Sequence, residues 1–354
     1  MKAFICRQYG PPEVLEMCEV ATPTPKHNEL LIRVCATTVT SADSRVRSFS
    51  LPPGFGVVGR LALGINGPRQ PILGTELAGE VVQIGRAVKN FCVGDQVLAF
   101  LGASMGCHAE YRCVAETGPV AQMPPNLSYE QAAAMCFGGS TMLDFYHRGG
   151  LASGERVLIN GASGGVGTAA VQLAKYVGAH VTAVCSAGNV ELVRSIGADA
   201  VVDYTREDFT RSGGTFDVIV DTVGNAPFSR SGSSLKPGGR FLMLVAGLSE
   251  LLQVPWINLR SDRAVVAGPA KERVEYVQQL AKLAAAGKFL PVIDRSFPFE
   301  QIVEAHRYVD KGRKRGNVCI AFGAQGLASH FDTVASRSLS AIDSGATCAR
   351  IPPT

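Results

Sequence analysis

Through about the first 122 residues the apolar positions fall in short runs separated by Pro and Gly, as in Leu30-Leu31-Ile32-Arg33-Val34 and Gly79-Glu80-Val81-Val82-Gln83-Ile84-Gly85. Such runs bounded by turn residues predict strands, so this part reads as β-rich. From about residue 125 the pattern changes. Ser128-Tyr129-Glu130-Gln131 has the form of a capping box and predicts a helix start. Beyond it, apolar runs alternate with amphipathic stretches. Strands are predicted at Arg156 to Asn160, His180 to Cys185, Ala200 to Asp203, Phe216 to Asp221, Arg240 to Val245 and Ala264 to Ala267, with helices between most of them. Six strands in that rhythm predict an α/β fold with a doubly wound parallel sheet. After a helix over Lys271 to Ala286 come Phe289-Leu290-Pro291-Val292-Ile293, a short helix over Phe299 to Lys311 and a strand at Asn317 to Ala321, a segment expected to return to the first domain. Residues 324–354 are rich in Ser, Ala and small polar residues without periodicity and are expected to form a poorly packed tail.

One junction in this pattern carries chemistry. The strand Val157-Leu158-Ile159-Asn160 runs directly into Gly161-Ala162-Ser163-Gly164-Gly165-Val166-Gly167, then into an amphipathic helix over Thr168 to Gly178 and the strand His180 to Cys185. Glycines permit a tight turn and close approach of backbone to ligand, and the helix opening near Gly165 aims free N–H groups and a positive dipole end at a phosphate. Strand, turn, helix and strand together form a dinucleotide-binding unit, assigned here to 125–287, with 1–124 and 288–323 as the other domain. In this fold an acidic residue ending the second strand grips the adenosine ribose and repels a 2′-phosphate. Here that strand ends Val184-Cys185-Ser186-Ala187-Gly188-Asn189, with no carboxylate before Glu191, so NADPH is expected over NADH. Cys185, Ser186 and Asn189 join the turn residues as expected cofactor contacts. No Arg or Lys clamp is evident; Arg194 is the nearest base.

Composition adds exclusions. With 354 residues, 46% hydrophobic and 18% charged, the chain suits a two-domain globular protein. A net charge of +4 gives no electrostatic case for nucleic acid or an acidic membrane. The local cluster Lys311, Arg313, Lys314 and Arg315 reads as a solvated helix end. Met1 leads straight into Ala3-Phe4-Ile5-Cys6, and no segment has the length of apolar sequence a membrane span needs, so a cytoplasmic location is expected. The ten cysteines are scattered without a C-x-x-C pair and read as buried reduced thiols.

The chain resembles the zinc-independent quinone oxidoreductase branch of the medium-chain dehydrogenase/reductase superfamily over almost all of residues 1–322. The resemblance rests on Gly10-Pro11-Pro12-Glu13-Val14-Leu15, Gly74-Thr75-Glu76-Leu77-Ala78-Gly79, Val93-Gly94-Asp95-Gln96-Val97, Gly106-Cys107-His108-Ala109-Glu110-Tyr111, the glycine turn and Phe216-Asp217-Val218-Ile219-Val220-Asp221. It implies a β-rich GroES-like catalytic domain, a Rossmann domain and an active-site cleft between them. Thr40 and Thr75 stand where the superfamily's zinc enzymes carry their first two metal ligands, and a neutral hydroxyl does not replace thiolate or imidazole. The four-cysteine structural zinc lobe is missing as well.

Without a Lewis acid, hydride transfer suits acceptors that activate themselves, namely quinones and α,β-unsaturated carbonyls. The resemblance places Thr40, Asp43 and Thr141 near nicotinamide and substrate, with Ala246 after the fifth strand. It also assigns Tyr204, Thr222, Val223 and Val245 to the cofactor. Arg45, and Arg47 beside it, stand in the segment where enoyl-thioester reductases of this superfamily carry a proton-donating tyrosine; either could hold a substrate oxyanion or carboxylate. The apolar loop Ser48 to Gln70 is expected to act as a lid. Two other readings stand beside the metal-free NADPH:quinone/enone reductase: a zinc-type alcohol or aldehyde dehydrogenase, and a non-catalytic NADPH-binding structural or regulatory protein. The family also implies a homo-oligomer formed through the last Rossmann strand.

Overall fold

The computed structural model describes residues 1–211 and 215–323; the expectation for 324–354 lies outside them. Strands β1 (Lys2–Cys6) and β2 (Leu15–Glu19) pair antiparallel, followed by β3 (Glu29–Thr38), helices α1 (Ser41–Ser48) and α2 (Gly56–Leu63), strands β4 (Glu76–Ile84), β5 (Gln96–Phe100), β6 (Tyr111–Ala115) and β7 (Val120–Gln122), and helix α3 (Tyr129–Ala133). The alternating part comprises α4 (Cys136–Gly149), β8 (Arg156–Asn160), α5 (Gly165–Val177), β9 (His180–Cys185), α6 (Val190–Ser195), β10 (Ala200–Asp203), β11 (Phe216–Asp221), α7 (Phe228–Ser231), β12 (Leu235–Met243), α8 (Leu248–Arg260), β13 (Ala264–Val266) and α9 (Val274–Ala285). The chain then forms β14 (Ile293–Pro298), α10 (Ile302–Asp310) and β15 (Asn317–Ala321).

The six Rossmann strands lie in the order β10-β9-β8-β11-β12-β13 and all pair in parallel. Val157, Leu158 and Ile159 of the central β8 are wholly buried, because helices cover both faces of such a sheet. The second sheet runs β14-β15-β3-β4-β5-β7, with β6 also on β3. The C-terminal segment therefore does return to the N-terminal sheet, through antiparallel pairing of β15 with β3. The predicted capping box forms: Ser128 Oγ accepts from the Gln131 N–H while Gln131 Oε1 accepts from the Ser128 N–H. The helix it starts, α3, packs on β3 and β4 of the N-terminal sheet, whereas α4 packs on α5.

Two stretches differ from expectation. The Ser48 to Gln70 loop contains α2, whose Val57, Val58 and Leu61 are exposed. Helix α8 forms despite Pro255 in its interior and buries no residue, leaving Leu252, Trp256 and Leu259 in solvent. The nine cysteines in the described residues are all unbridged.

Candidate active site

The phosphate turn follows from close backbone packing. Gly161 adopts φ +79°, a left-handed conformation that side chains disfavour, and a Cβ there would lie 2.5 Å from Thr222 Oγ1. Thr222 hydrogen-bonds to Asn160 O, so β8 and β11 are tied where the turn begins. At Gly167 a Cβ would lie 2.1 Å from Gly161 O, so helix and turn touch through bare backbone. Gly164 caps α5 with extended geometry and no side-chain cap, so Gly165 and Val166 begin the helix.

A cavity of about 940 Å³ opens beside this turn. Gly161, Ser163 and Val223 line it, as do Cys185, Ser186, Asn189 and Tyr204 from the ends of β9 and β10. Asn189 donates to Ser163 Oγ and Ser186 Oγ, and its own Oδ1 is buried without a partner. Val245, Ala246 and Thr141 lie outside this wall; Leu244 and Thr141 face a second cavity instead.

The cations come from elsewhere in the sequence. Arg313, Lys314 and Arg315, together with Arg206, Arg211 and Arg230, line the first cavity; Arg194 does not. Arg313 and Arg315 are exposed, as the solvated-helix-end reading has them, but all three edge this cavity, where no clamp is evident from the sequence. The β14–β15 segment is laid against the turn by a hydrogen bond from Gly316 N–H to Ser163 O. Arg206 pairs with Asp203, and Arg211 and Arg230 pair with Asp208. Arg313, Lys314 and Arg315 have no ion-pair partner among the described residues. Burial lowers the Lys314 ammonium to about 8. A nicotinamide dinucleotide fits this donor set: a glycine cradle and helix N-terminus for the pyrophosphate, with hydroxyl, amide and cationic groups along the rest of the wall.

The second cavity, about 440 Å³, is walled mainly by apolar side chains from both domains, including Val46, Met105, Phe100, Phe137 and Phe145. Its polar groups are Thr75, Thr141, Arg69, Gln70 and Glu272. Leu63, Pro68, Arg69 and Gln70 bring part of the expected lid to this wall. Only the first turn of α4 separates it from the phosphate turn, since a Cβ on Gly138 would lie 2.7 Å from Gly165 O.

Several residues expected to be catalytic serve the framework. Thr40 Oγ1 donates to Asp43 Oδ2 and accepts from the Asp43 N–H, a capping box at the start of α1. Asp43 Oδ1 accepts from the Gly74 N–H. Both side chains are buried, neither lines the cavity, and neither has a group left for substrate, which corrects their catalytic assignment. Arg47 is wholly buried, donating to Gly10 O, His306 Nδ1 and Asp310, so it cannot serve a substrate. Arg45 is half-buried on α1 with no hydrogen-bond partner for its guanidinium among the described residues; Ala42 and Val46 beside it reach the cavity wall and Arg45 does not. Thr141 does line the cavity, but its hydroxyl donates to Phe137 O.

Glu76 is a buried carboxyl behind this wall. Its oxygens accept from Thr38 Oγ1 at 2.6 Å and from the Phe137 N–H at 2.5 Å, and burial raises it to about 7. Because the folded value lies above the ordinary 4.5, the protonated form belongs to the fold, and stability falls as pH rises from about 4.5 through 7. The total loss is roughly 3 kcal/mol. Glu76→Gln is expected to flatten this dependence, so thermal melts of parent and variant at pH 5 and pH 8 should diverge in the variant's favour at the higher pH. A parallel shift of both would show that Glu76 does not titrate in this window.

A family model described as "Alcohol dehydrogenase GroES-like domain" matches residues 26–125, and one described as "Zinc-binding dehydrogenase" matches 196–320. The metal in the second description does not fit these residues. Thr40 is committed to Asp43, Thr75 offers a neutral hydroxyl, and no group of three or more His, Cys, Asp or Glu among the described residues is arranged to hold an ion. The mitochondrial NAD(P)H oxidoreductase RTN4IP1 of Mus musculus is 33% identical, with 90% of this chain and 89% of that protein covered. A chloroplastic quinone-oxidoreductase homolog of Spinacia oleracea is 34% identical over 88% of this chain and 95% of its own length. The structure of the quinone oxidoreductase from Coxiella burnetii superposes with a TM-score of 0.80 at 29% identity, covering 91% of this chain and 99% of that one. The names of the mouse and spinach relatives assign them to organelles, which overturns the expectation of a cytoplasmic location. No helix among the described residues is long and apolar enough to cross a membrane. With both family models matched and relatives above 30% identity along most of its length, the chain is an oxidoreductase of the medium-chain dehydrogenase/reductase superfamily, in its zinc-independent quinone oxidoreductase branch.

Proposed function

We propose that this enzyme reduces conjugated carbonyl compounds, quinones or α,β-unsaturated ketones and aldehydes, with NADPH as preferred reductant. The observation that carries this reading is an apolar interdomain cavity, without a metal donor set, one helix turn away from a cationic dinucleotide cavity. The bound cofactor would supply hydride. The apolar wall excludes water from the reacting carbon and suits a flat, weakly polar acceptor. A substrate activated by its own conjugation needs from the protein only orientation and hydrogen bonding at oxygen.

NADPH preference is supported by Arg315. Its guanidinium lies 3.4 Å from where a Cβ on Gly188 would be, and so beside the Ser186 to Asn189 turn. Turnover should be followed by nicotinamide absorbance with a quinone, an enone and an aldehyde, using NADPH and NADH, before and after chelation. Chelator-resistant turnover of quinone or enone is expected; cofactor binding without turnover across the panel would defeat the reading. Arg315→Ala should lower kcat/KM for NADPH roughly 10- to 100-fold while leaving NADH within about twofold, the effect of losing one charge-assisted phosphate contact. Equal losses with both cofactors would remove Arg315 from the 2′-phosphate.

A homo-oligomer is part of the same proposal. Strand β13 forms an edge of the parallel sheet, and the uncovered apolar residues of α8 precede it in the chain. Light scattering on the full chain at micromolar concentration decides between monomer and oligomer.

A further inference from the structure

We infer that the Thr75 hydroxyl is the hydrogen-bond donor to the substrate's carbonyl oxygen, an inference that rests on the conjugated-carbonyl reading above. The hydroxyls of this region differ in what they have left to give. That of Thr40 is held by Asp43, and that of Thr141 is donated to Phe137 O. Thr75 lines the substrate cavity, is only 2% exposed, and its Oγ1 has no hydrogen-bond partner among the described residues. An unmade buried hydrogen bond costs about 1–3 kcal/mol, so a ligand oxygen that reaches this hydroxyl from the cavity is favoured by the bond it completes.

The surroundings fix this residue from every side. Thr75 O accepts from the Leu101 N–H at 2.7 Å and the Gly102 N–H at 3.0 Å. Before it, the Gly74 N–H is held by Asp43; after it, Glu76 is held by Thr38 and Phe137. Asp43 and Glu76 are thus positioning residues whose hydrogen bonds set the backbone of Thr75. A donor held in advance at the place where charge develops stabilises a transition state without reorganisation. As hydride adds to the β-carbon of an enone, the C=C electron pair shifts toward the carbonyl and negative charge collects on oxygen. Thr75 donates a hydrogen bond to that oxygen and keeps its proton. A proton from solvent then completes the two-electron reduction.

The test compares Thr75→Val, which keeps the shape and removes the hydroxyl, with Thr75→Ser, which keeps the hydroxyl. The readouts are steady-state kinetics on an enone and a quinone, NADPH affinity by fluorescence, and thermal melting. Thr75→Val should lose roughly 10- to 100-fold, mainly in kcat, because the bond strengthens on the developing oxyanion. NADPH affinity should stay within about twofold, and melting should be unchanged or higher because an unpaired buried hydroxyl has gone. Thr75→Ser should recover most of the rate. Turnover by Thr75→Val within about twofold of the parent overturns the inference, as does a serine variant as slow as the valine one, or a slow valine variant with an equally large fall in melting temperature. Failure of the broader reading shows separately, as a parent enzyme that oxidises NADPH with no conjugated carbonyl, and would take this inference with it.

Discussion

Gly167→Ala is expected to abolish NADPH binding, raising the dissociation constant at least about 100-fold, while lowering the melting temperature by several degrees. The added methyl would lie 2.1 Å from Gly161 O and 2.8 Å from the Ala162 carbonyl carbon and Cα. All three are backbone atoms of the phosphate turn, so no side-chain rotation relieves the contact, and α5 must move off the end of β8. Overpacking of this kind costs roughly 1–3 kcal/mol or more, and it falls where a small displacement withdraws the helix N–H groups from the pyrophosphate. Gly164→Ala is the control, since the nearest atom to its Cβ would be Gly161 O at 3.6 Å. Fluorescence titration with NADPH separates the two. Binding by Gly167→Ala within about tenfold of the parent would mean that the turn is not rigidly packed and that glycine here serves another purpose.

Arg47→Met should give the largest loss of stability without touching either cavity, roughly 3–5 kcal/mol. The guanidinium joins three parts of the chain: Gly10 near the start, its own helix α1, and α10 through His306 and Asp310. Burial holds His306 well below the ordinary histidine range, so its neutral ring accepts from Arg47 through Nδ1. Methionine fills the space but leaves Gly10 O and His306 Nδ1 without their donor and Asp310 without its partner. A loss of that size corresponds to a fall of about 4–7 °C in melting temperature for a chain of this length. Arg47→Lys should recover only part, because an ammonium cannot reproduce the guanidinium's fixed spread of donors. A melting temperature within about 2 °C of the parent would show that these bonds contribute little net stability.

Much of the fold is legible in the sequence because its signals are local. Strands β8 and β11 carry the apolar runs Val157-Leu158-Ile159 and Val218-Ile219-Val220, and β9 is apolar but for Thr182 after His180, as strands covered on both faces tend to be. The Ser128 capping box and the glycine turn each lie within seven residues, where spacing alone implies geometry. Helix α8 is less legible, since Pro255 stands inside it and its apolar side chains are divided, Val254 and Ile257 resting partly buried on the core while Leu252, Trp256 and Leu259 are exposed. The site is less legible. Thr40, Asp43 and Thr141 are the right types of residue in the right region, but a sequence does not show which hydroxyl is already engaged. Arg313, Lys314 and Arg315 look like a solvated helix end because their neighbours in sequence are polar; in space Lys314 lies against Gly165 and Arg315 against Gly188, more than a hundred residues away.

By itself, then, the sequence determined what short-range physics decides: the period of burial, the cap, the tight turn that only glycine permits, and the absence of a carboxylate at the end of β9. Tertiary structure decided the partners. It turned Asp43 away from chemistry and into a brace for Gly74, carried a distant basic segment onto the cofactor cavity, and left Thr75 with a buried hydroxyl to give. Hydrogen bonds and charges act over a few ångströms in space, and which groups come that close depends on how β15 and β3 bring the two ends of the catalytic domain together.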